Sequence, residues 1–224
     1  MAINLEKKLE KGQRINLEKS DGSKLTEFCV GVNWGAIETS GGFLGFGKKT
    51  INVDLDLSCI LIDNNNKLFD HIYSPEYRPQ FLQHYGMPNG KLDTIDKALH
   101  HSGDDREGDK GGDDGLDNEI ITVNLSKVNN NVSQIFFFLN NVGKEDFSQI
   151  PYAKIRMYEG TTTHVKEIFA SYNVSAESQY RGKRAIIMGK LYRKNDEWKF
   201  HAIGDPTDDE NLCQTISRII KSYL

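Results

Sequence analysis

No stretch of this sequence is long and apolar enough to cross a bilayer, which takes roughly 18 or more consecutive apolar residues. The opening segment, MAINLEKKLEKGQ, is charged and lacks the apolar run of a secretory signal. The expectation is a cytoplasmic chain with no direct membrane insertion. Cysteine is sparse. Cys29, Cys59 and Cys213 are odd in number and far apart, with no CxxC pair, which excludes a zinc ribbon or dithiol redox motif. Cys29 and Cys59 sit in apolar runs and are expected as buried thiols. Basic runs interleaved with aromatics are missing too. Lys7–Lys8 and the group Arg181, Lys183 and Arg184 read as solvated faces, so no nucleic-acid partner is expected. There is no GxSxG elbow, no HExxH and no His-x-His spacing. No catalytic constellation is legible, and the expectation is a protein that is not an enzyme. Proline is rare, and three of the five prolines fall within Ser74–Asn89, which is expected to be a surface excursion.

What the chain does have is β-pattern. Short apolar runs alternate with period two, as strands half-buried in a sheet require. They are Phe28–Trp34, Ile51–Asp63, Ile120–Leu125, Gln134–Leu139, Ala153–Tyr158, His164–Tyr172, Arg184–Arg193 and Glu197–Gly204. Asn, Gly, Asp and Ser clusters punctuate them, with Asp63 expected to cap a strand or open the turn that follows. Trp34 and Trp198 have core-like parity. The pattern predicts a mainly β fold, a sandwich or a barrel, as one domain over 1–224. A helix is predicted over Asp208–Leu224, where Leu212, Ile216, Ile219, Ile220 and Tyr223 share a stripe behind Pro206 and the capping residues Thr207 and Asp208. A short turn or helix is predicted over 144–152.

Charge is concentrated in one place. Residues 103–119, GDDREGDKGGDDGLDNE, hold eight carboxylates against Arg106 and Lys110, although the whole chain carries a formal net charge of only −4. Such a segment cannot bury itself. It is either solvated or held by a cation, and several oxygen donors on a glycine-rich loop suit calcium. It is not an EF-hand. Counting from Asp105, the sixth and twelfth residues are Lys110 and Leu116; counting from Asp109, the sixth is Asp114. Asp54 and Asp56, two apart on a predicted strand, project to the same face. They are either ordinary solvent-facing residues or the strand half of a site completed by the loop. His100 and His101 abut the loop and read as neighbours rather than ligands, because calcium prefers oxygen. The stretch GGFLGFGKKT at 41–50 starts like a phosphate-binding loop but has Lys49 where Ser or Thr is needed, so a hairpin loop is the simpler account.

Four blocks together resemble the tellurium-resistance TerD family of bacterial stress proteins. They are GVNWGAIE at 31–38, VDLDLSCILID at 53–63, HSGDDREGDKGGDDGLDNEIITVNL at 101–125 and GKLYRKNDEWKFHAIG at 189–204. The acidic block is the most specific. Its extension by GLDN before Glu119 resembles the longer-looped, TerX-like branch. The resemblance implies a β-sandwich of two mixed or antiparallel sheets with the C-terminal helix packed on it. It implies two calcium ions held between loop and strand, and no established enzymatic activity. The ligand set it implies is Asp54, Asp56, Asp104, Asp105, Asp113, Asp117 and Glu119, with backbone carbonyls such as those of Gly108 or Lys110. The extension leaves open how Asp113, Asp114, Asp117 and Asn118 divide the places of the family's paired aspartates. The resemblance further implies stress-response protein partners and a complex reached at the inner membrane through them. Two rival functions remain at this stage. One is a metal-dependent enzyme holding a phosphorylated substrate with Lys48 and Lys49; the other is a calcium-bridged sugar-binding module.

Overall fold

The computed structural model of the chain describes residues 11–19, 21–39, 49–174 and 178–224. The phosphate-loop-like stretch, apart from Lys49 and Thr50, and the charged opening segment 1–10 lie outside them. In chain order the first strands are β1 (Arg14–Asn16), β2 (Glu27–Trp34), β3 (Ile37–Thr39), β4 (Lys49–Ile51), β5 (Leu55–Asp63) and β6 (Leu68–Ile72). A short helix α1 (Pro79–His84) precedes β7 (Leu99–His101), β8 (Glu119–Asn124) and β9 (Val132–Asn141). Then come β10 (Ala153–Thr161), β11 (His164–Asn173), β12 (Ala185–Lys194), β13 (Glu197–Thr207) and helix α2 (Leu212–Ser222).

Two sheets face each other, one ordered β1-β13-β12-β9-β5-β6 and the other β11-β10-β2-β8-β7, with β3 and β4 forming a small ribbon. Among the described residues every pair of these strands is antiparallel, the antiparallel form of the two expected. The alternation along the strands explains the layers. In β2, Phe28, Val30, Val32 and Trp34 enter the core between the sheets, while Cys29, Gly31 and Asn33 point the other way. In β9, Ile135, Phe137 and Leu139 enter the same core, and Phe136 and Phe138 enter a second one on the outer face. Each such aliphatic or aromatic side chain, fully buried, contributes roughly 1.5–3 kcal/mol.

That second core is where helix α2 sits. Leu212, Cys213, Ile216 and Ile219 lie against Ile60, Ile62, Phe136 and Phe138, together with Leu82 of the 74–89 excursion. The six-stranded sheet is thus covered on both faces, and the residues of β5 are buried almost throughout. The alternating run at 51–63 predicts one continuous strand; the structure interrupts it at 52–54, which lie outside any strand, before β5 begins. Asp56 is 5% exposed, so its face is not open to solvent.

Several local expectations shift by a few residues. Helix α2 starts at Leu212, capped by Asn211, whose side chain accepts the Gln214 amide. The proposed cap Thr207 instead ends β13. Its hydroxyl donates to Asp209, which Arg218 also grips at 2.7 Å, and these bonds hold 207–209 out of the helix. Residues 144–152 do contain a turn, a 3-10 segment at Phe147–Gln149 with a capping box from Asp146. Asp63 opens its turn by accepting the Asn65 and Lys67 amides. Cys29, Cys59 and Cys213 are all buried free thiols. Trp34 is fully buried, whereas Trp198 is half-buried with the Arg193 guanidinium 4.6 Å from its ring centre. Among the described residues no helix is long and apolar enough to cross a membrane.

Candidate metal centre

The acidic loop is stitched to the sandwich by backbone hydrogen bonds. The Asp109 amide donates to the Trp34 carbonyl, Ala36 returns a bond to Asp109, and the Asn118 amide donates to Val32. Val53 donates to Glu107, and the Trp34 indole donates to Val53 at 2.8 Å. Gly108 passes directly over that indole. Its φ is +69° and an added Cβ would lie 2.6 Å from the ring, so only glycine fits here. Asn118 fastens the loop from the side: its Oδ1 accepts the Trp34 amide, and its Nδ2 donates to Asp105 and Asp109.

Glu119 and His101 secure the loop's base. Glu119 is 1% exposed, and its two oxygens accept the Leu57 amide at 2.7 Å and the Asp105 amide at 3.1 Å. Because the Gly103 amide donates to His101 Nδ1, the proton sits on Nε2. Nε2 donates to the Leu57 carbonyl at 3.1 Å and lies 3.4 Å from Glu119. Burial keeps His101 below its ordinary pKa, so it stays neutral. Both histidine nitrogens are occupied, which makes His101 a support and not a ligand.

Loop and strand do meet. Carboxylate oxygens of Asp54, Asp56 and Asp104 lie within 4.8 Å of one another. Asp54 Oδ1 and Asp104 Oδ1 are buried without a hydrogen-bond partner. Burial, then the charge of Asp104, pushes Asp54 up to about 6. Burial, then the neighbouring Glu119, raises Asp56 well above the carboxylate range, despite the hydroxyl of Tyr77 beside it. Glu119 is raised in the same way, chiefly by burial. A second group, Asp109, Asp113 and Asp114, also meets within 4.8 Å but is more exposed. There Lys154 pairs with Asp113 and holds it below the usual carboxylate range. Asp109 accepts from Tyr152, Asn33 and Asn118.

The other residues named from the sequence are brought near but used differently. Asp105 folds back to accept the Glu107 and Gly108 amides. The Lys110 ammonium sits on Glu107 at 2.6 Å. Asp117 turns away, onto the outer face of β2, where its fully buried side chain pairs with Arg156 at 2.8 Å. It packs directly over Gly31, at which a Cβ would come within 2.1 Å of Asp117 Oδ2. Glu119 serves as a clamp between β5 and the loop. Asp109 and Tyr77 were missed in the sequence. Asp109 stood in the acidic run, but nothing local set it apart; Tyr77 lies in a segment with no acidic pattern at all.

The donor set fits a hard cation. It is all oxygen, from carboxylates on a rigid edge and a stitched loop, with no thiol or free imidazole beside it among the described residues. Three carboxylates this close repel one another. Two buried oxygens without partners are a debt that folded proteins rarely carry. Both features are offset if a divalent cation lies among them.

Fold and site together define a class: an antiparallel β-sandwich with an acidic end built from strand and loop carboxylates. The chain belongs to the TerD family of tellurium-resistance and stress-response proteins, the family model for the TerD domain matching residues 1–218. Stress response protein SCP2 of Bacillus subtilis is 32% identical, the alignment covering 98% of this chain and 100% of that protein. Tellurium resistance protein TerX of Serratia marcescens is 27% identical over 91% of this chain and 94% of its own. A solved homologue of telluride resistance protein TerD from Streptomyces coelicolor shares the fold, with a TM-score of 0.57 at 12% identity over 88% of this chain and 96% of that one.

Proposed function

We propose that this protein is a calcium-binding module of the bacterial stress response, a metal-ordered scaffold and not an enzyme. The observation that carries the reading is the Asp54, Asp56 and Asp104 cluster with its two buried, unpartnered oxygens. These three residues would hold one ion, and Asp109, Asp113 and Asp114 a second. The ion's contribution is charge neutralisation, which ties the loop at 103–118 to the strand edge at 54–56. The ordered acidic end then presents a fixed surface to other stress-response proteins. In this reading the module works in the cytoplasm and reaches the inner membrane only through those partners. The engaged nitrogens of His101 and the clamped oxygens of Glu119 support a structural role, since neither is free to move a proton to a substrate.

Titration of chelator-stripped protein with calcium chloride in a calorimeter tests this. Binding heat and a rise in melting temperature are expected, because an ion at about 100 times its Kd stabilises the folded state by roughly 2.7 kcal/mol. Absence of both overturns the proposal.

A further inference from the structure

Arg106 reaches in two directions. Its Nε donates to Asp104 Oδ2 at 3.0 Å, and its Nη2 lies 2.9 Å from Glu76 Oε2. Glu76 belongs to the excursion that covers the sheet, and the next residue, Tyr77, places its hydroxyl on Asp56. Two consecutive residues of one segment are therefore tied to the carboxylate cluster, one of them through a guanidinium. The guanidinium keeps its charge at any working pH. Its side chain is 56% exposed on a loop surface, so it can swing away without breaking a packed core.

Arg106 thus places a fixed positive charge on one of the three cluster carboxylates. The guanidinium supplies positive charge to Asp104 and, through space, holds Asp54 down against its neighbours. A divalent cation needs the same carboxylates and is repelled by the same guanidinium. We propose that Arg106 is a tethered counter-ion that sets the affinity of the Asp54, Asp56 and Asp104 site, and that cation binding displaces it from Asp104. Its displacement cuts the bridge that joins Glu76 to the cluster, so the excursion at 74–85 registers whether the site is loaded. This rests on the calcium reading above and adds to it the residue that tunes the site.

A purely structural arginine, one that simply holds the loop in place, has the opposite signature: removing it weakens binding. Calorimetric titration with calcium chloride is run on wild type, Arg106→Gln and Arg106→Lys, each stripped with chelator. Arg106→Gln is expected to bind about three- to tenfold more tightly at low salt, the gain shrinking as salt screens the charge. Arg106→Lys, which keeps the charge, stays near wild type. In wild type, calcium is expected to speed amide hydrogen exchange across 74–85, while in Arg106→Gln exchange there is already fast and calcium leaves it unchanged. Affinity in Arg106→Gln that is unchanged or weaker, or calcium-induced protection of 74–85 in wild type, overturns the counter-ion role and leaves calcium binding standing. A wild type that gives no heat at all overturns both.

Discussion

Replacing Asp54 by asparagine is expected to make the ion-free protein more stable and at the same time abolish cation binding at the Asp54, Asp56 and Asp104 site. The reason lies in where Asp54 sits. Burial and the adjacent Asp104 lift its pKa from an ordinary 3.8 to about 6. The folded protein therefore holds this proton more tightly than the unfolded chain does. Below the unfolded value both states are protonated and the residue costs nothing. As pH rises from about 4 to about 6 the unfolded chain loses its proton first, and stability falls; above that window the full cost is present. Each pH unit of difference is worth ~1.4 kcal/mol, so the cost at neutral pH is about 3 kcal/mol, and about 2–3 after allowing for the partial exposure of the site. Asparagine has no charge to desolvate, and its amide can donate to the unpartnered Asp104 Oδ1. For a chain of this size the gain corresponds to roughly 4–12 °C in melting temperature. Urea unfolding of wild type and Asp54→Asn in chelator, at several pH values between about 4 and 7, measures the gap. It is expected to be near zero at the acid end and to open in favour of the variant as pH rises. In saturating calcium the order reverses, since only wild type gains from an ion at the Asp54, Asp56 and Asp104 site. A variant that is less stable than wild type in chelator at neutral pH refutes the reasoning.

Gly31→Ala places a methyl 2.1 Å from Asp117 Oδ2 and should expel that carboxylate from its buried pair with Arg156, costing about 2–4 kcal/mol in urea unfolding. A loss under about 0.5 kcal/mol would show that Asp117 is free to move. Trp34→Phe removes the indole bond to the Val53 carbonyl and is expected to cost about 1–3 kcal/mol. Limited proteolysis should then cut within 103–118, and an uncut loop would mean that the backbone stitches suffice without the indole.

The sequence carried the outline of the site because charge and parity are local properties. Eight carboxylates in one glycine-rich run cannot be hidden, and Asp54 and Asp56 share a face by the period of a strand. What parity could not say is what covers that face. Helix α2 and the excursion at 74–89 close over the six-stranded sheet from distant parts of the chain. This excludes the solvent-facing alternative for Asp56, which is buried, and brings Tyr77 to it. Within the loop, glycine erases periodicity, so no local rule separates Asp109, which faces Tyr152 and Asn33, from Asp117, which faces Arg156. The sorting is done by partners on β2 and β10 that are far away in sequence. The start of α2 moved for a similar reason: Arg218, within the helix, fixes Asp209 ahead of it.

The bonds from Asp109 to Trp34 and from Asn118 to Val32 give the acidic loop two fixed feet on the same strand. Between them, residues 110–116 form an exposed arc containing Gly111, Gly112 and Gly115, each at positive φ. An arc with anchored feet can change length without moving what lies outside it. The cluster of Asp54, Asp56 and Asp104 lies outside it, while Asp113 and Asp114 ride on the arc itself. Residues added within 110–116 therefore alter the shape of the outer acidic group and leave the inner one in place. One half of the acidic end can vary in shape while the other keeps its geometry.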